Sequence, residues 1–336
     1  MLHVRNILPP GFLETSAREL HRVLDGPTLI HLSGRHARPL FVAVLLHGNE
    51  TTGLEAVQEV LRRYEGKIFP RALSIFVGNV SAARAGLRRL DDQPDFNRIW
   101  PNGDESELPE QAMSRALLAE AKRCKPFAVI DVHNNTGVNP LYACVHEMDA
   151  PSLHLATLFS RTVVYFTRPR GVLIGATTPI APSVVLECGK AGDPLHTRAA
   201  ADYIDACLHL SAIPAHRIAS HDIDLYHTVG TVKVPENVRF GFTGDDVDIL
   251  FESDLERQNF RDLPTGVSFG RVVGHGSVPL DVWNESGIRV TDRYFVLEND
   301  EIRTRVPVMP AMLTVDERAI RLDCLCYLME RIAPPA

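Results

Sequence analysis

Residues 39–66 read PLFVAVLLHGNETTGLEAVQEVLRRYEG. The opening residues are almost wholly aliphatic, as a strand buried on both faces of a parallel sheet must be. From Thr51 onward, apolar residues recur at spacings of three and four, the period of an amphipathic helix. A strand that turns directly into a helix is half of a βαβ unit, so this stretch predicts an α/β fold. Between the two halves stand His47 and Glu50. They occupy the carboxyl end of a strand, the edge where open α/β sheets collect ligands and catalytic groups.

The same texture extends outward to about residue 210. Aliphatic runs at 72–79, 127–133, 161–167 and 183–189 are further candidates for buried strands, and residues 109–124 and 194–211 repeat the helical pattern. After about residue 215 the segments become short and β-branched, separated by Gly, Pro, Asn and Asp, which predicts a small antiparallel β region. Residues 314–332 open with Thr314 and Glu317 at capping-box spacing and predict a terminal helix that buries Ile320, Leu325, Leu328, Met329 and Ile332. The expected organisation is therefore a catalytic α/β domain over 1–212, a β-rich domain over 213–312 capping the site, and a C-terminal helix and tail over 313–336. The catalytic sheet is expected to be mixed and mostly parallel, flanked by helices.

Composition narrows the partners. With a net charge of -7 and a pI near 6.1, the chain has no broad basic surface for nucleic acid or anionic lipid, so an anionic ligand must meet a local cluster of arginines. The N-terminus shows no basic start followed by an apolar run, and no stretch is apolar for the length of a bilayer, which predicts a cytoplasmic protein. The six cysteines form no C-x-x-C pair and read as reduced, packing thiols. A monomer and a homo-oligomer are both compatible with this composition.

His47 and Glu50 suggest a metal. A catalytic zinc usually takes three protein ligands and leaves a fourth position for water. His133, which ends the strand candidate FAVIDVH, supplies the third, and strand alternation sets Asp131 on its side of the sheet. The plain alternative is that an H-x-x-E pair is a surface pair on a helix. In RRLDDQPDFNRIWP, residues 88–101, Arg88, Arg89 and Arg98 stand close to Asn97. Their planar forks suit a substrate carboxylate or an oxyanion; equally, they could pair with the aspartates of a solvated loop. Glu187 follows the apolar run SVVL, where a carboxylate is costly unless paired, metal-bound or functional. Burial raises a carboxyl pKa toward the range of a general base, and the structural alternative is a salt bridge to Lys190 or Arg98.

In order and spacing, HGNE, DFNRIWP, IDVHN and LECG resemble the motifs of the succinylglutamate desuccinylase and aspartoacylase family, a branch of the zinc carboxypeptidase superfamily. The resemblance covers roughly residues 39–190, and the β-rich segment after 215 is similar in placement to the family's small C-terminal domain. It implies one zinc per chain held by His47, Glu50 and His133, with Asn97 and Arg98 on the substrate's free carboxylate and Glu187 as the catalytic glutamate. It also implies a catalytic role for Arg88, although Arg89 stands where the family has an aromatic residue. Aspartoacylase-like members carry a further arginine shortly before the catalytic glutamate, and here IGATTPIAPS contains none; Arg168 and Arg170 are the nearest replacements. Tyr294 matches by position a tyrosine from the family's C-terminal domain.

The function so implied is zinc-dependent hydrolysis of the amide bond in a small anionic N-acyl amino acid or related amine. A carboxypeptidase acting on short peptides would use the same parts, and a metal-binding or ligand-sensing protein without turnover would retain them.

Overall fold

In the computed structural model the decisive stretch forms the longest strand of its sheet, Gly34–Val44, followed by the helix Thr52–Arg63. Residues 1–101, 107–244, 246–274 and 276–335 are described, and they fall into two units. One comprises Met1–Asn134, Leu141–Asp224 and the last residues from Ala333; the other comprises Asn135–Pro140 and Leu225–Ile332.

The first unit contains strands β1 (His3–Arg5), β2 (Thr28–Leu32), β3 (Gly34–Val44), β4 (Phe69–Val77), β5 (Ala128–His133), β6 (Tyr142–Val145), β7 (Thr162–Tyr165) and β8 (Ser183–Glu187). Its helices are α1 (Thr52–Arg63), α2 (Val80–Ala85), α3 (Pro109–Cys124), α4 (Ala150–Phe159), α5 (Leu173–Thr177) and α6 (Pro194–His209). The strand order is β1-β2-β4-β3-β5-β8-β6-β7. At its centre β4, β3, β5 and β8 run parallel, whereas β2 and β6 join them antiparallel. The sheet is thus mixed and mostly parallel, as expected. Every strand expected in this unit is present; β1, β2, β6 and the short helices add to them. β6 has only four residues, too few for a periodic signal.

Helices cover both faces. Gly53, in the first turn of α1, lies so close to the sheet that a Cβ there would come within 2.9 Å of Val44 and 3.0 Å of Val132. On the other face, Met113, Leu117 and Ala121 of α3 pack with Phe41, Ala43 and Val129 of the sheet, together with Phe96, Ile99 and Trp100. The broken segment before α3 is therefore anchored by its own apolar residues. Among the described residues, no helix is long and apolar enough to cross a membrane.

The second unit is β-rich, as its composition suggested. Strand β9 (Asp224–Lys233) pairs antiparallel with β13 (Asp281–Trp283) and β17 (Cys326–Arg331), and β17 with β16 (Met309–Ala311). A second sheet has the order β10 (Phe240–Gly241), β11 (Ile249–Phe251), β12 (Ser268–Val272), β15 (Glu301–Thr304), β14 (Phe295–Glu298). Asn299 and Asp300 both take positive φ between β14 and β15, the conformation that a two-residue hairpin requires. The longer stretch of this unit begins at Leu225; Asp224, just before it, is paired with Arg161 of the first unit at 2.7 Å.

The terminal helix expected over 314–332 is not there. A helix spans only Glu317–Leu322, capped by Asp316 rather than Thr314, and Cys326–Arg331 is a strand. A register shift between Leu328 and Met329 explains the misreading, since it buries two consecutive residues. The buried Leu325, Leu328 and Met329 then show the three-and-four spacing of a helix, whereas Ile332 is only half-buried.

The turn after β3 leaves no room for a side chain. Leu45 adopts φ 55, and a Cβ on Gly48 would lie 2.1 Å from the backbone nitrogen of Ala83 in α2. Gly48→Ala should therefore lower stability by about 1–3 kcal/mol in denaturant melts. Gly276→Ala, where a Cβ meets nothing within 4 Å, serves as the control and should be near neutral.

Candidate metal centre

The sheet brings His47, Glu50 and His133 together because β3 and β5 are parallel neighbours, with Ala43 opposite Asp131. All three residues are buried, at 3%, 6% and 4% exposure. Glu50 lies between the imidazoles: Oε1 is 2.8 Å from Nδ1 of His47 and Oε2 is 2.7 Å from Nδ1 of His133. Its second oxygen also accepts from the backbone N–H of Asn134 at 3.2 Å. Asn134 fastens this loop, donating to Thr52 Oγ1 and to the Gly189 carbonyl, each at 2.9 Å.

Each imidazole has a carboxylate behind it. Nε2 of His47 is 2.9 Å from Asp95 Oδ1. Nε2 of His133 is 3.0 Å from Asp131 Oδ2, an ion pair too oblique to be a hydrogen bond, and 3.5 Å from Asn97 Nδ2. Asp131 thus takes the place that strand alternation assigned to it.

Asp95 was not singled out in the sequence, where it reads as one more acid in a broken loop. It shapes its own turn, accepting from the Asn97 N–H at 2.7 Å, and its other oxygen binds Arg88 through Nε at 3.1 Å and Nη2 at 2.9 Å. Its contact with His47 spans 48 residues of chain, so no local pattern could announce it. The available signal was chemical: a histidine that ligates a metal through one nitrogen needs an acceptor for the other.

The electrostatics follow from this enclosure. Burial pushes the Glu50 carboxyl upward, but the charges and hydrogen bonds of His47 and His133 outweigh it and hold the group well below the ordinary carboxylate range. Asp95 behaves alike: burial opposes ionisation, and His47, Arg88 and Arg98 overcome it. For His133 the signs reverse; burial disfavours the imidazolium, yet Asp131 and Glu50 keep it protonated well above the usual histidine value.

These residues fit a divalent cation. Two imidazoles and a carboxylate offer ligand atoms within 4.8 Å of one another. The protons that now bridge Nδ1 to Glu50 are those a cation would displace. His2Glu is moreover a donor set of catalytic zinc.

Glu187 ends β8 directly opposite His133, 6% exposed. Burial first, and the Glu187 charge second, push the thiols of Cys144 and Cys188 upward, a sign of low polarity on that flank. Arg88 is 3.7 Å from Glu50 through Nη1. Arg98 donates to the Asn97 carbonyl at 2.8 Å, and Asn97 Oδ1 accepts from the Leu173 N–H at 3.0 Å. Arg168 is half-buried and Arg170 exposed, on the turn whose Gly171 carbonyl accepts from the Trp100 N–H at 3.1 Å. The turn is thereby tied to the Asn97–Trp100 segment. Tyr294 is instead 2% exposed inside the core of the second unit.

Residues 39–211 match the succinylglutamate desuccinylase/aspartoacylase catalytic domain. A succinylglutamate desuccinylase from Burkholderia orbicola is 31% identical over 137 residues, which cover 37% of this chain and 38% of that protein. The matched region thus spans well under half of that relative. Among solved structures, succinylglutamate desuccinylase from Chromobacterium violaceum aligns with a TM-score of 0.57 at 16% identity, over 90% of this chain and 87% of that one. Murine aminoacylase 3 aligns with a TM-score of 0.53 at 18% identity, over 89% and 97%. At these identities the likeness is one of fold.

Three substitutions test the centre. His47→Ala or His133→Ala should lower the zinc content of dialysed protein below one per chain by atomic emission; unchanged stoichiometry would remove that residue from the ligand set. Asp95→Asn should retain the ligands yet weaken metal affinity by about 10–100-fold in a chelator competition.

Proposed function

The chain belongs to the succinylglutamate desuccinylase/aspartoacylase family, and on that premise we propose that it is a zinc hydrolase cleaving the amide bond of a small, anionic N-acyl amino acid or related N-acylated amine. The observation that carries this reading is the row formed by the His47, Glu50 and His133 cluster and Glu187, which stands opposite His133 on the next parallel strand.

Zinc held by those three residues would lower the pKa of water toward ~7 and polarise the acyl oxygen. The remaining chemistry belongs to the chain. A Glu187 carboxylate oxygen accepts the proton of the attacking water and then delivers it to the departing amine nitrogen, so one group serves as base and then acid. Arg88, fixed by Asp95 beside Glu50, presents positive charge to the oxyanion that develops on the carbonyl. Asn97 and Arg98 hold the substrate's free carboxylate, with Arg168 and Arg170 on the adjoining turn as further cationic contacts.

A panel of N-acyl amino acids, blocked dipeptides and neutral amides, assayed with and without a chelator, tests the reading. Chelator-sensitive release of amine from the first group is expected; preferential cleavage of the dipeptides would make the protein a carboxypeptidase, and inertness toward all would leave a binding protein. Glu187→Gln should keep one zinc per chain and lose about 10²–10⁴-fold in kcat. Arg98→Ala should raise KM for carboxylate-bearing substrates by about 10-fold or more, the worth of a charge-assisted hydrogen bond, and leave neutral amides little changed.

A further inference from the structure

The chain leaves β8 through a sharp turn directly after Glu187. Cys188 extends the pairing with β5 by one bond, its N–H donating to the His133 carbonyl at 2.9 Å. Gly189 then takes φ 62, in the left-handed region that favours glycine, and a Cβ there would come within 2.6 Å of the His196 ring. The Gly189 carbonyl accepts from Nδ2 of Asn134 at 2.9 Å. The turn is thus gripped by a side chain from the end of β5, 55 residues away.

Asn134 holds two further segments. Its Oδ1 accepts from the Thr52 N–H at 3.2 Å, its Nδ2 also donates to Thr52 Oγ1 at 2.9 Å, and its own N–H donates to Glu50 Oε2 at 3.2 Å. Thr51, which precedes α1, makes no capping bond; its hydroxyl donates to Glu55 Oε1 at 2.8 Å instead. Asn134 accordingly caps α1 from 82 residues away. One residue, 8% exposed, so joins the turn carrying Glu50, the first turn of α1 and the exit from β8. An amide offers an acceptor at one end and donors at the other; here the acceptor holds α1 and a donor reaches Gly189.

The ends of secondary elements are where local opening costs least, and Glu187 stands at such an end. A general base must keep its geometry toward the reacting water, and a displacement of about 1 Å costs about 100-fold in rate. We propose that Asn134 is a positioning residue for Glu187: by donating to the Gly189 carbonyl it fixes the exit from β8, and with it the glutamate, relative to His47, Glu50 and His133. The role acts through Glu187 and rests on the general-base function proposed for that residue.

Asn134→Asp is isosteric, keeps an acceptor for the Thr52 N–H and loses the donor to Gly189, whereas Asn134→Ala loses both. Each is combined with Glu187→Gln in a double-mutant cycle on zinc-loaded protein, read by kcat, KM and zinc content, and amide hydrogen exchange is followed with and without zinc. Both Asn134 substitutions should lower kcat by about 10- to 100-fold, with KM within about twofold and one zinc per chain. The Cys188 amide should exchange about 10-fold faster in both variants, the Thr52 amide only in Asn134→Ala. In the Glu187→Gln background neither substitution should lower the residual turnover further.

Wild-type kcat or unchanged Cys188 exchange in Asn134→Asp would overturn the proposal, since the donor to Gly189 would then be dispensable. A loss of equal size in both backgrounds would overturn it as well, because the amide would then act on the metal or the substrate, and so would a zinc content below one per chain. The general-base reading fails by a different result: Glu187→Gln alone would retain wild-type turnover.

Discussion

The carboxylate of Glu50, shared between the Nδ1 atoms of His47 and His133, is the contact around which the first unit is arranged. A buried carboxylate is tolerable only when its charge is answered, and here two imidazoles answer it while two further carboxylates answer them. The cluster alternates carboxyl and imidazole groups. Removing any member leaves a buried neighbour unpaired, at a cost larger than the net worth of the contact itself.

The scaffold keeps this alternation in place by three different means. Parallel pairing of β3, β5 and β8 sets their carboxyl ends side by side, which fixes His133 and Glu187 with the precision of a ladder. The turn bearing His47 and Glu50 is held by close backbone packing, with Gly48 against α2 and its N–H donating to the Arg88 carbonyl at 3.1 Å. The segment bearing Asp95 and Asn97 has no regular structure at all. Phe96, Ile99 and Trp100 sink into the helical layer on one face of the sheet, and Asn97 between them comes within 3.5 Å of His133. A broken loop thus acquires the rigidity that a site needs from its apolar members.

Much of this was legible along the chain, for reasons that differ by residue. Buried parallel strands must be continuously apolar, so β3, β4, β5, β7 and β8 stand out as runs, and polar residues at their ends stand out against them. That contrast exposed His47, Glu50, His133 and Glu187. Asp131 followed from the two-residue period of its strand. Asp95 and Asn134 did not, because what distinguishes them is a partner 48 or more residues away. The loop arginines admitted two readings, substrate contacts or internal pairs, and Arg88 is in fact bound to Asp95.

Local periodicity, which depends only on which residues must be buried, was sufficient for the α/β class, the three ligand candidates and the strand-end position of the glutamate. It failed where burial and backbone geometry part company, as at Leu328 and Met329, whose bulge gives a strand the spacing of a helix. Only the tertiary structure decided which carboxylate backs each imidazole, that Tyr142 stands beside Glu187, and that Asn135–Pro140 belongs with the second unit. These are facts of cross-strand register and loop packing, and register is set by the pairing of segments that the chain keeps far apart.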